Sequence, residues 1–203
     1  IVMGFMCACA ALSMWISNTA TALMMLPLAL AVIDRSEDKK LALPLLLSIA
    51  YGSSIGGVGT PIGTAPNLVF MQEYQNFTGT TVSFVQWMSW AIPVVLLMIP
   101  LAGLWLTRNL DYVGELTMPS TGSWRTEEKR VLMVFGITVL AWVTRTEPFG
   151  GWSLWLGMKG ATDATVALLA VITLFLIPNG RSGKLLDWET AVKVPWGILI
   201  LFA

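Results

Sequence analysis

The stretch GGVGTPIGTAPN at Gly56–Asn67 interrupts a long apolar segment, residues 41–72, and decides how this part of the chain can fold. Its glycines permit positive φ angles, and its two prolines lack an N–H donor and disfavour helix at the residue before them. An earlier apolar segment, residues 1–33, is interrupted at Ser17-Asn18-Thr19 within MWISNTATALMMLP. In a membrane interior, broken backbone is tolerated only where protein buries it or where it lines a polar cavity. Two such breaks indicate a solute or ion site at membrane depth.

The composition is that of a membrane protein. Of 203 residues, 56% are hydrophobic and 12% are charged, against about 25% charged residues in average globular proteins. The ten tryptophans suit an aromatic belt at a membrane interface. The net charge of zero gives no indication of nucleic-acid binding, and the lack of histidine excludes serine–histidine catalysis and most zinc sites. We therefore expect a protein that is not an enzyme.

Apolar runs and polar loops divide the chain into predicted elements of an all-α integral membrane fold. The arms of residues 1–33 hold about 16 and 14 residues, short of the ~20 that a span needs, which predicts a re-entrant helical hairpin. Residues 41–72 predict a discontinuous helix whose break covers 52–67. Further predicted spans are a full span at 82–107, an apolar core at 131–144 that its neighbours extend to span length, a span at 161–178 and another from Val194. The segments between them are a charged loop at 34–40, a polar loop at 73–81, a polar connector at 108–130, a Trp/Gly-rich loop at 145–160 and an amphipathic connector at 179–194.

The distribution of basic residues predicts the orientation. If the hairpin returns to its starting face and each later segment crosses once, loops 34–40, 108–130 and 179–194 share one face. That face carries ten of the twelve Lys and Arg residues, whereas the other carries Arg145 and Lys159. The positive-inside rule makes the first face cytoplasmic. The same alternation results if residues 1–33 cross the membrane, so the charge count does not test the hairpin.

The first break offers oxygens for an ion. Ser17, Asn18 and Thr19 supply hydroxyl and amide oxygens, and Ser13 lies one helical turn earlier. Neutral oxygens suit a monovalent cation such as sodium that must also leave again. The start of the second arm has positive dipole character, suited to an anion, and the end of the first arm suits a cation. The alternative is an ordinary helix N-cap, for which Ser, Asn and Thr are the preferred residues.

The second break adds Thr60, Thr64 and Asn67 as oxygen-bearing residues. The alternative here is helix packing through small residues, with the pairs Gly52/Gly56 and Gly59/Gly63 forming close-contact faces. That reading explains the first glycine pair, but it does not explain two prolines and three polar residues in one apolar segment. A phosphate-binding loop is excluded because the glycine spacing is wrong and no Lys-Ser/Thr follows.

Neither interrupted segment contains Asp, Glu, Lys or Arg. A pocket without acids repels an anion less, and bound sodium and helix dipoles would supply the counter-charge. An aspartate within these segments would have argued for proton coupling. The acid closest to a span is Asp163, which we expect in the first turn of its helix, where a carboxylate is favourable.

The two broken segments together resemble the divalent anion/sodium symporters, the dicarboxylate, citrate and sulfate carriers of the ion transporter superfamily. The motifs that carry this resemblance are Ser17-Asn18-Thr19 and Gly56–Asn67, and Val194–Phe202 is similar to the span before the family's second hairpin. Ala65 departs from the family, in which many members have proline there. The resemblance implies an inverted-repeat transporter with elevator-type alternating access, homodimeric at full length, in a plasma or inner membrane.

The resemblance also implies which residues bind. Ser13, Ser17 and Asn18, with the backbone near Gly63, would hold sodium as the coupling ion, without any organic cofactor. Asn18, Thr19 and Thr64 would contact a carboxylate of a small dicarboxylate-class anion. Residues 1–107 would form half of a transport domain, 108–130 a cytoplasmic connector, and 131–203 further spans on the scaffold side.

Other functions remain open at this point. The chain begins and stops inside apolar stretches, so we expect the middle of a larger membrane protein, with about half of its binding site and no transport in isolation. The favoured function is sodium-coupled uptake of a di- or tricarboxylate or a sulfate-like anion. The alternative is a sodium-independent anion exchanger or antiporter of the same architecture, and a channel or structural membrane subunit forms a third class.

Overall fold

The computed structural model describes residues 1–36, 38–110, 123–146, 150–158, 160–181 and 183–193. Within these ranges the secondary structure is helical without a β-strand, and one isolated bridge pairs Pro178 with Lys184. The all-α expectation is thus confirmed for the described residues. The chain forms two compact units, Ile1–Met118 and Pro119–Ala203, whose boundary falls inside the predicted connector at 108–130.

The first unit is built from five α-helices and a short 3-10 helix. The α-helices are α1 (Val2–Ser13), α2 (Asn18–Arg35), α3 (Ala42–Gly57), α4 (Ala65–Thr78) and α5 (Phe84–Thr107), and the 3-10 helix is Lys39–Leu41. Helices α1, α2, α3 and α5 share one apolar core, because each places a stripe of buried residues towards the others. The core residues are Val2, Met6, Cys9, Ala10, Met25, Ala29, Leu45, Ile49, Val95, Ile99 and Leu106.

Glycines allow α1 and α3 to pack in close contact. A Cβ on Gly52 would lie 2.6 Å from the carbonyl oxygen of Met6, and one on Gly56 would overlap the backbone of Ala10. Residue numbers increase in the same direction along both helices, from the Gly52–Met6 contact to the Gly56–Ala10 contact, so α1 and α3 run parallel. The small-residue packing alternative is therefore correct for these two glycines, and the predicted break at 52–67 is too wide at its start.

The breaks and loops differ from their predicted positions in three places. The first break lies at residues 14–17, because Ser17 caps α2 and its Oγ accepts a hydrogen bond from the Ala20 N–H. The second break is confined to residues 58–64. The predicted polar loop at 73–81 is wrong over most of its length, since α4 continues to Thr78 before Gly79 ends it at φ 71°. Polar residues do not end a helix whose side chains are exposed, whereas a glycine in the left-handed backbone conformation does.

Helix α5 confirms the predicted helical segment at 82–107. In the described part of the chain it is the helix that is both long and apolar enough to cross a membrane. Its 24 residues extend about 36 Å, more than the ~30 Å of a hydrocarbon core. Three shorter apolar helices accompany it: α1 and α3 in the first unit and α8 in the second.

The second unit contains α6 (Thr126–Val143), α7 (Gly151–Trp155), α8 (Asp163–Leu176) and α9 (Trp188–Ala191), with α6 packed on α8. Helix α6 begins within the predicted connector, where the Arg125 N–H donates to Glu128 Oε2 at 3.0 Å. Helix α8 is shorter than the predicted span at 161–178. Asp163 begins α8 as expected, and its Oδ1 lies 2.7 Å from Arg145 Nε. The span predicted from Val194 lies outside the described residues.

Candidate functional site

The ends of α1, α2 and α3 converge where the chain is interrupted. Helix α1 ends at Ser13, α2 begins at Asn18, and α3 ends at Gly57. The side chain of Asn18 lies directly against Gly57, where a Cβ would overlap the Asn18 Oδ1 atom. Glycine at position 57 thus leaves the space that the Asn18 side chain occupies. The meeting point combines the positive end of α2 with the negative ends of α1 and α3.

Ser13 and Asn18 form the polar centre of this junction. The Ser13 hydroxyl donates a hydrogen bond to Asn18 Oδ1 over 2.7 Å. Ser13 is fully buried and Asn18 is half-buried, so this polar pair links the end of α1 to the start of α2. Both oxygens are neutral and both retain lone pairs, which makes them suitable ligands for a small monovalent cation.

The second break is held by side chains that bind its backbone. The buried Asn67 donates from Nδ2 to the carbonyl oxygens of Gly57 and Thr60, each at 2.8 Å. From α5, Trp87 donates its indole N–H to the Val58 carbonyl at 2.9 Å. The Thr60 carbonyl also accepts the Gly63 N–H at 3.3 Å, so both of its lone pairs are used. A carbonyl oxygen that accepts one such bond, as at Gly57 or Val58, retains a lone pair with which it can contact an ion.

Thr60 joins the two breaks. Its fully buried hydroxyl donates to the carbonyl oxygen of Met14, the residue that follows α1. Gly63 lies against Gly57, and a Cβ on Gly63 would overlap the Gly57 carbonyl. The second break is thus folded back on the end of α3, and it holds the backbone of both interruptions in one place.

The remaining residues implied by the resemblance lie at the edge of this cluster. Ser17 and Thr19 are exposed at the start of α2, and the Ser17 hydroxyl also serves as the N-cap. Thr64 is half-buried at the N-cap position of α4, where its side chain makes no capping hydrogen bond. The structure therefore brings Ser13, Asn18 and the Gly57–Gly63 backbone together.

Two buried hydroxyls near the junction escaped the sequence analysis. Thr21 Oγ1 and Ser53 Oγ are buried and have no hydrogen-bond partner. The Cys9 thiol lies beside Ser53, but a thiol is too weak a hydrogen-bonding group to replace a normal partner. Thr21 follows Asn18 by about one turn and Ser53 precedes Gly57 by one turn, so both lie one turn away from the Asn18–Gly57 contact. Their positions in apolar stretches, each about one turn from a break, are the only signal that the sequence offers.

The electrostatics of the junction depend on dipoles and neutral oxygens. Its two interrupted segments contain no ionisable Asp, Glu, Lys or Arg. Within the described ranges, no group of three or more His, Cys, Asp or Glu residues is placed to hold a metal ion. The donor set that is present, hydroxyl, amide and carbonyl oxygens, is the set expected for an alkali-metal ion in a transporter.

Comparison of the sequence with known proteins shows the family to which the chain belongs. The sequence model of the family described as "Citrate transporter" matches residues 1–203. The chain is 34% identical over 227 aligned positions to the sodium-dependent dicarboxylate transporter SdcS of Staphylococcus aureus strain USA300, which covers 100% of this chain and 43% of that protein. The same identity and coverage hold for SdcS of strains NCTC 8325 / PS 47 and bovine RF122 / ET3-1.

The chain therefore spans less than half the length of the curated relatives that it matches. The match confirms the resemblance to sodium-coupled dicarboxylate carriers that the two motifs indicated, and a transporter family agrees with the expectation that the protein is not an enzyme. The chain belongs to the citrate transporter (CitMHS) family of membrane transport proteins.

Proposed function

We propose that this chain is part of a secondary active transporter that couples sodium entry to the uptake of a di- or tricarboxylate or a sulfate-like divalent anion. The observation that carries the proposal is the contact of Asn18 with Gly57, which joins the two interrupted segments. The relatives named for sodium-dependent dicarboxylate transport support the choice of ion and substrate class.

Sodium binds at the buried side of the junction in this proposal. The Ser13 hydroxyl and Asn18 Oδ1 already lie 2.7 Å apart, and the backbone of Gly63 packs on the Gly57 carbonyl beside them. A sodium ion would take lone pairs from these oxygens, with Ser17 completing the set from the start of α2. Neutral ligands keep the ion's binding weak enough for release.

The anion binds next to the ion, at the exposed side. Asn18 and Thr19 begin α2, whose first N–H groups and dipole favour negative charge. Thr64 directly precedes α4 at its N-cap position, and its hydroxyl is not used for capping. Because the two interrupted segments contain no carboxylate, a dicarboxylate meets no fixed negative charge there, and bound sodium attracts it. Coupling follows, since each ligand improves the site for the other.

Movement of the site as one body is supported by the core of the first unit. Helices α1, α2, α3 and α5 share their buried residues, so both breaks would move together in an elevator-type cycle. We assign residues 1–107 to half of the transport domain, with a re-entrant hairpin at 1–33, and 131–203 to spans of the scaffold. A second, inverted half and a homodimer would complete the transporter, with loops 34–40, 108–130 and 179–194 in the cytoplasm.

The test uses the full-length protein reconstituted in liposomes. Asn18→Ala is expected to abolish sodium-dependent dicarboxylate uptake, because it removes both the Oδ1 ligand of the ion and the Nδ2 donor to the carboxylate. Asn76→Ala is the matched control, since Asn76 is an exposed residue of α4, and it should leave uptake unchanged. Undiminished sodium-driven uptake by Asn18→Ala, at equal protein content, would refute the site. Uptake that persists when choline replaces sodium would instead support the sodium-independent exchanger.

A further inference from the structure

A groove of about 400 Å³ lies at the opposite end of α3 from the junction. It is formed where α3 begins and α5 ends. Two basic residues, Lys40 and Arg108, line it together with the amide of Asn109, and Leu43, Leu47 and Trp105 contribute apolar surface. Among the described residues that line the groove none is acidic, and the nearby Asp38 carboxylate accepts the backbone N–H of Lys40 at 2.8 Å. Its lining therefore combines positive charge with an apolar wall.

The depth of the groove follows from α5. Arg108 directly follows the last residue of this membrane-length helix, so its guanidinium lies at the level of the lipid headgroups when α5 crosses the bilayer. The guanidinium carbon is 5.0 Å from the centre of the Trp105 ring, one turn earlier, and tryptophan prefers that same interfacial level. The 16 residues of α3 place the groove about 24 Å from Gly57, well separated from the junction.

The apolar side of the groove continues onto surface that faces outwards from the unit. Leu43 on α3 and Leu101 and Leu104 on α5 are exposed large apolar residues. In a bilayer, such side chains contact acyl chains rather than water. A ligand that fills the groove thus has a negatively charged head between two cations and apolar tails along the leucines, which is the composition of an anionic phospholipid.

We propose that this groove binds one anionic phospholipid, whose phosphate lies between Lys40 and Arg108. A zwitterionic lipid would bring its own cation to these side chains, so a net negative headgroup fits better. Free phosphate would satisfy the charges but would leave the apolar wall uncovered. The lipid would tie the start of α3 to the end of α5 at the membrane surface, because each helix contributes one cation and part of the wall.

The test measures lipid binding to the purified full-length protein in detergent. Thermal unfolding is followed while phosphatidylglycerol or phosphatidylcholine is titrated into the micelles, and native mass spectrometry counts the bound lipids. Phosphatidylglycerol is expected to raise the unfolding midpoint of the unmodified protein, and phosphatidylcholine is not. The double variant Lys40→Gln/Arg108→Gln should weaken the apparent affinity for phosphatidylglycerol roughly 25-fold, on the basis of about fivefold for each basic residue near a membrane surface.

Controls separate this proposal from general effects of charge. Arg35→Gln/Lys129→Gln removes two basic residues outside the groove and should keep the unmodified affinity. If the double variant folds poorly, Arg108→Lys is measured as well. It retains the positive charge and should bind phosphatidylglycerol almost as well as the unmodified protein. The proposal is overturned if phosphatidylcholine or soluble glycerol phosphate stabilises the protein equally, or if the double variant binds phosphatidylglycerol like the unmodified protein. These measurements do not depend on transport, so they stand apart from the proposed sodium site.

Discussion

The first interruption, residues 14–17, and the second, residues 58–64, are held by different groups. At the first, side chains supply the chemistry: Ser17 caps α2 and Ser13 bonds to Asn18. At the second, side chains from outside the break bind its backbone, as Asn67 of α4 and Trp87 of α5 do. The comparison teaches that polar side chains bond to one another at the first break, whereas at the second break side chains from outside it hold the backbone in place.

The largest effect is expected from closing the space at the second break. In Gly63→Ala the new Cβ would overlap the Gly57 carbonyl, and backbone cannot move aside as a side chain can. We expect loss of uptake and destabilisation by about 1–3 kcal/mol, measured by transport assays and by unfolding of the full-length protein.

Gly136→Ala is the matched control for Gly63→Ala. Gly136 lies within α6 with nothing within 4 Å of an added Cβ, so alanine should stabilise the helix by roughly 0.5–1 kcal/mol. If both substitutions change uptake and the free energy of unfolding little and by the same amount, the close approach of Gly63 to the Gly57 carbonyl is not needed for function or stability.

The next effect compares the groups that hold each break. Asn67→Ala leaves the buried carbonyls of Gly57 and Thr60 without their shared donor, which should cost about 2 kcal/mol. Ser17→Ala removes one exposed cap and should cost about 1 kcal/mol. Unfolding of both variants provides the measurement, and a larger loss in Ser17→Ala would reverse the assignment of roles to the two breaks.

The smallest effect concerns two buried serines on α3. Ser48 donates to the Leu45 carbonyl at 2.7 Å, whereas Ser53 has only the weakly hydrogen-bonding Cys9 thiol beside it. Ser48→Ala should therefore destabilise the protein by about 1 kcal/mol, while Ser53→Ala should be neutral or stabilising, since it removes an unsatisfied hydroxyl. If Ser53→Ala is as destabilising as Ser48→Ala in unfolding measurements, an ordered water molecule or an ion is bound next to the junction.

Several features of the fold could be read from local patterns. Proline and glycine exclude a helix between Val58 and Thr64, because they remove N–H donors and backbone restraint. The continuous apolar run of α5 and the position of Asp163 at the start of α8 were equally predictable, since each depends on residues adjacent in the chain. The choice of Asn18 as a residue of the junction also came from its place within a broken apolar segment.

Other features depend on residues that are distant in the sequence. Gly52 and Gly56 look like part of the break, yet they are helical because α1 packs on them. Asn67 looks like a ligand for a solute, yet its amide binds the backbone of the second break. Thr21 and Ser53 look like any polar residues of an apolar helix until their neighbours are known to offer no partner.

The amino-acid order alone was enough to establish that the helices break twice, that the interrupted segments carry no charge, and that oxygen-bearing residues accompany each break. Local sterics and hydrogen-bonding capacity act between neighbours, so they can be assessed without coordinates. Which oxygen faces the other break, which glycine admits a neighbouring helix and which hydroxyl stays unsatisfied are set by packing between α1, α2 and α3. These contacts join residues more than thirty positions apart in the chain, and no local pattern encodes which of them will touch.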